Sequence, residues 1–164
     1  MLSNPALLEV SLRMAAAIII GCIIGIDRNL RGKPTGVKTL GLVALGAALV
    51  TMAGLGFSVA TIEADDRSAR VIQGIVTGIG FLGAGVILQS PSEKHIRGLT
   101  TAASIWVTAA LGIVCGLGAW SVAAIATIMV ILLLTVGRAL EQTLHRRWLS
   151  KPEQEREAAE MHDE

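Results

Sequence analysis

The chain has 164 residues, 52% hydrophobic and 16% charged, with a formal net charge of +1 and a mean hydropathy of +0.64. That composition excludes an ordinary soluble domain, which must cover its surface with charge. It predicts an all-α integral membrane protein, a bundle of about five transmembrane helices whose first partner is the lipid bilayer, with no nucleic-acid partner and no cofactor.

The apolar stretches are continuous rather than alternating, which favours helices over a barrel because a helix satisfies its own backbone groups in lipid. The first covers residues 7–26. No basic region precedes it, so it reads as a permanent span rather than a cleaved signal. Glu9 and Arg13 lie inside it at i, i+4, acid first, and can pair near the membrane surface. It ends in GCIIGIDR. Asp27 either marks the end of the span or, partly desolvated, faces Arg28, Lys38 or Arg97 as an ion pair or cation contact. The second span covers residues 37–57. The link over residues 58–70 carries Glu63, Asp65 and Asp66, readable as a solvated acidic loop or as a weak cation site.

The third span, residues 71–88, contains GIGFLGAG, in which Gly78, Gly80 and Gly83 have the spacing of a dinucleotide-binding loop. The context excludes that reading: no strand-to-turn break precedes the motif, and no acid follows about twenty residues later. On a helix, Gly74, Gly78 and Gly85 share one stripe with Phe81, while Gln73, Thr77, Gly80 and Ala84 form another. Small residues let helices approach closely in lipid, so this helix is expected at the centre of the bundle; a broken, re-entrant segment is the alternative. The fourth span, residues 99–117, carries a hydroxyl stripe of Thr101, Ser104 and Thr108, beside Thr100 and Cys115. These hydroxyls either bond to their own helix carbonyls or across to Gln73 and Thr77, as structural groups, or line a path for water or ions. Arg97 and Gly98 stand at its mouth. The fifth span covers residues 119–136. Residues 1–137 thus form a transmembrane domain, and 138–164 a tail that is helical at first and then disordered, with Arg146, Arg147 and Trp148 at headgroup level. Cys22 and Cys115 read as apolar filler, with no disulfide and no metal site.

Eleven basic residues fall on one side of this topology and three on the other. The positive-inside rule places the amino terminus outside and the carboxyl terminus in the cytoplasm.

With these segments in place, the sequence resembles the MgtC/SapB family of bacterial inner-membrane proteins. The resemblance rests on GCIIGIDR, TGVKTLGLVALGAAL, SARVIQGIVTGIGFLGAGVI and IRGLTTAASIWVTAALGIVCGLG, and covers roughly residues 21–118. Only the family's hydrophobic domain is matched, without the ACT-like domain that some members carry after it. Lys38, Leu40 and Asn29 depart from the common pattern. The resemblance implies a multi-pass protein of the cell inner membrane that takes part in adaptation to low magnesium and, in pathogens, in virulence. It implies action on other membrane proteins, among them the F-type ATP synthase or a cation transporter, and leaves homo-oligomers open. By the same resemblance, Asp27, Arg28, Thr39, Gly80, Gly83, Arg97, Gly98, Thr100 and Thr101 are the functional positions. Two classes of function follow: a regulator that docks on partner helices, or a transporter or channel for Mg2+, another ion or a small solute. An enzyme is not expected, because no nucleophile with a base is visible and His95, His145 and His162 fall in a loop or the tail. No phosphate-binding GxxxxGK[ST] loop is present either.

Overall fold

A computed structural model describes residues 4–57, 66–89 and 96–149. They form five helices: α1 Asn4–Asn29, α2 Val37–Gly54, α3 Asp66–Gly85, α4 Leu99–Gly116 and α5 Trp120–Leu149. Between α3 and α4, two-residue strands β1 (Leu88–Gln89) and β2 (Ile96–Arg97) pair antiparallel, Leu88 opposite Arg97. The chain divides into two units, Met1–Thr127 and Ile128–Glu164, with the boundary inside α5. The boundary expected at residue 137 also falls within this helix. The expected disordered end of the tail and the acids Glu63 and Asp65 lie outside the described residues.

In the first unit, α2 packs between α1 and α4. Its buried residues, Leu40, Gly41, Ala44, Ala47, Ala48, Thr51 and Met52, are mostly small, so two helices can come close to its backbone. A Cβ on Gly21 of α1 would lie 2.5 Å from the Leu40 carbonyl oxygen. From α4, a Cβ on Gly112 would collide with the Ala44 carbonyl. Backbone-to-backbone contact of this kind supplies the close packing that holds helices together in lipid. The central place expected for α3 is therefore taken by α2. Gly83 is the only buried residue of α3, and a Cβ on Gly74, Gly78, Gly80 or Gly85 would meet nothing within 4 Å. The glycines of α3 were the conspicuous feature of the sequence, but the alanines of α2 make the shared face.

Four helices, α1, α2, α4 and the first 25 residues of α5, are long and apolar enough to cross a membrane. The expected third span differs in character, because α3 starts early, with Asp66, Arg67 and Arg70 in its first turns, and stops at Gly85. It nonetheless runs the full thickness of the unit alongside α2. Near its start, Val71 packs on Gly54 at the end of α2; near its end, Gly83 lies by Ala102 at the start of α4. A helix that joins the far end of α2 to the near end of α4 crosses whatever slab those two helices cross.

Candidate functional site

The end of α1 is built around a buried arginine. Arg28 is 3% exposed and donates four hydrogen bonds. Its Nη1 donates to Ser104 Oγ at 3.0 Å, and its Nη2 to Thr101 Oγ1 at 2.6 Å and to the Pro34 carbonyl at 3.0 Å. Its Nε donates to the Thr35 carbonyl at 3.2 Å. Arginine suits the position because its planar fork can serve several acceptors at once, and a guanidinium removed from water needs them. The chain supplies the two carbonyls by turning sharply after α1. Gly32 takes a positive φ, as does Thr35, at 64°. For a β-branched residue that conformation is an outlier.

The hydroxyl stripe of α4 completes the cluster. Ser104 accepts from Arg28 and donates to the Thr100 carbonyl at 2.7 Å, and Thr108 donates to the Ser104 carbonyl at 2.7 Å. Thr101, Ser104, Thr108 and Cys115 are buried, whereas Thr100 is exposed. The hydroxyls thus bond to their own helix, as one reading of the stripe expects, but their partner across helices is Arg28. Gln73 and Thr77 are exposed on α3, with Thr77 donating to the Gln73 carbonyl of the same helix.

Asp27 does not pair with Arg97, Arg28 or Lys38. It forms an ion pair with Arg31, four residues on, through Oδ1. Its second oxygen, Oδ2, is buried and has no hydrogen-bond partner among the described residues. The i, i+4 spacing could have revealed this pair, since Glu9 and Arg13 repeat it one helix-length earlier. Arg97 is exposed on β2, and Lys38 is exposed on α2. Gly98 is held at a φ of 96°, where a Cβ would collide with the Val86 carbonyl oxygen. Thr39 is exposed and lines an apolar groove between α2 and α3 with Gly74 and Gly78.

A second buried arginine sits at the other end of α1. Arg13, 5% exposed, bonds Glu9 Oε1 at 2.9 Å and the Gly116 carbonyl at 3.0 Å. Gly118, at a φ of 73°, lies against its guanidinium, where a Cβ would come within 2.6 Å of Cζ. A cation at the carboxyl end of α4 also complements that helix's dipole. The pairing with Glu9 was legible in sequence; the bond to Gly116, 103 residues away, was not. Among the described residues, no three His, Cys, Asp or Glu side chains come together as a metal site would require.

The residues of the Arg28 cluster fall within a single recognisable region, which begins just after Arg13. The MgtC family profile matches residues 14–143. The chain belongs to the MgtC family. Among its relatives, protein SrpB of Synechococcus elongatus is 39% identical over 150 residues, covering 86% of this chain and 82% of SrpB. Protein MgtC of Brucella abortus is 41% identical over 131 residues, covering 80% of this chain and 52% of that protein. Protein MgtC of Salmonella typhimurium is 40% identical over 120 residues, covering 73% and 48%. The chain therefore spans most of SrpB but only about half the length of these MgtC proteins. No solved structure matches it. Family membership and the four helices long and apolar enough to span a membrane make this a multi-pass bacterial membrane protein.

Proposed function

We propose that this MgtC-family protein is a non-enzymatic regulator of other membrane proteins, acting in adaptation to low magnesium. The observation that carries the reading is the closed state of its polar cluster. Arg28 is buried and uses four of its donors on internal acceptors, and the α4 hydroxyls are committed to Arg28 and to their own backbone. A transport path needs polar groups that exchange partners with a passing ion. Broad apolar faces, by contrast, remain available for contact within the bilayer, with Leu42, Phe81 and Leu82 at 68%, 82% and 52% exposure.

The transport reading keeps one specific support, the partnerless Oδ2 of Asp27. Two measurements on the full chain separate the readings: identification of proteins that co-elute after extraction in mild detergent, and cation flux in liposomes. The expected result is a defined membrane-protein partner and no flux above empty vesicles. Flux that disappears in Asp27→Asn, in protein with an unchanged melting temperature, would establish transport instead.

A further inference from the structure

The groove between α2 and α3 has no role in the cluster at the end of α1. It encloses about 570 Å³ and runs along α2 from Thr39 through Gly46 to Val50, and along α3 from Leu82 through Gly78 to Gly74. It exists because Gly46, Gly74 and Gly78 have no side chain and face nothing within 4 Å. Eleven residue steps on α2 make it about 16 Å long at 1.5 Å per residue. That is close to half of a hydrocarbon core roughly 30 Å thick, the depth of one leaflet. Thr39 is the one residue with a polar side chain in the lining, so a hydrocarbon fits the groove.

The two ends differ in charge. At the Thr39 end, Lys38 is exposed on the first turn of α2, Lys33 is exposed in the preceding turn, and Arg97 is exposed just ahead of α4. Asp27, the one acid among the described residues at this end, is paired with Arg31. At the Gly74 end, the described charges of α3 are Asp66, Arg67 and Arg70, which leave a single net positive charge against three basic residues at the Thr39 end. An amphiphile with a hydrocarbon tail and an anionic head therefore has one favourable orientation.

We propose that the α2/α3 groove seats an acyl chain of an anionic phospholipid, with its headgroup phosphate held at the Lys38 and Thr39 end. The site is independent of the regulatory reading, since lipid can be held with or without a protein partner.

The full chain, extracted in mild detergent, is examined by native mass spectrometry. After lipid removal it is titrated with phosphatidylglycerol and with phosphatidylcholine of the same chains, following the melting temperature. One retained anionic phospholipid per copy is expected, with tighter binding of phosphatidylglycerol. Gly46→Leu, which fills open space rather than a packed contact, should abolish both retention and the lipid-induced rise in melting temperature. Lys38→Gln lies outside the groove and should fold; it should leave phosphatidylcholine binding unchanged and weaken phosphatidylglycerol binding about fivefold, the effect of one basic residue near an anionic head. Equal binding of the two lipids by the unmodified chain, or a Lys38→Gln variant that keeps the full preference, overturns the proposal. So does a Gly46→Leu variant that loses an oligomer but keeps its lipid, because a second copy would then occupy the groove.

Discussion

Arg28 joins three parts of the chain that are distant in sequence: the end of α1, the turn at Pro34 and Thr35, and the start of α4. Replacing it by methionine keeps much of the volume but leaves two buried hydroxyls and the Thr35 carbonyl short of a donor, while the exposed Pro34 carbonyl keeps the Thr35 hydroxyl. Leaving buried polar groups unsatisfied costs roughly 1 to 3 kcal/mol each where they cannot rearrange. We expect Arg28→Met to lower the melting temperature in detergent by an amount equivalent to about 3 kcal/mol. Arg28→Lys should recover less than half of that loss, because an ammonium cannot reach four acceptors spread over a planar fork. Thr35 makes the opposite prediction. Its positive φ of 64° is strained for a β-branched side chain, and Thr35→Gly should raise stability by about 1 kcal/mol. An unchanged or lower melting temperature would show that its side chain contributes more than the strain removes.

Among the helices, Gly112 and Gly78 separate what the sequence revealed from what it concealed. Gly112→Leu should destabilise by more than about 3 kcal/mol, the upper end for overpacking, because the new side chain would enter the Ala44 backbone. Gly78→Leu faces open space and should change the melting temperature little in lipid-free detergent. Hydropathy alone located the helices well: α2 and α4 start at Val37 and Leu99, as the apolar runs predict. The displaced element is α3, whose polar first turn is ambiguous by hydropathy, since an acid at a helix start is also favourable. Its supposed centrality failed for a different reason. Small residues permit close approach without determining which helix makes it, and the buried alanines of α2 serve as well as glycines. The arginine sites were half legible. Local i, i+4 pairs can be read from spacing, but the reach of Arg28 to Thr101 and of Arg13 to Gly116 depends on how the helices fold back on one another.

For the whole molecule, these contacts also fix the relative direction of the helices. Arg28 ties the carboxyl end of α1 to the amino end of α4, so both ends lie on one side of the membrane. We propose that this side is the cytoplasm, as the positive-inside rule predicts from the charge asymmetry of the sequence. A cysteine at Ser58, in a chain lacking Cys22 and Cys115, is therefore expected to react with an impermeant thiol reagent in intact cells, and one at Ser92 to be protected. The reverse pattern would invert the assignment.

Arg13 and Arg28 stand about 22 Å apart along α1 at 1.5 Å per residue, and both find partners on α4. The consequence concerns biogenesis. When α1 emerges from the ribosome, α4 has not been made, and an arginine drawn into lipid without its acceptors is costly. Glu9 can shelter Arg13 at once, but Arg28 must stay near the membrane surface until Thr101 and Ser104 arrive. The first helix of this protein is thus expected to take its final depth only after the fourth has entered. A nascent chain stalled at Gly85 should leave the end of α1 open to a membrane-impermeant probe that a chain stalled after Leu149 excludes.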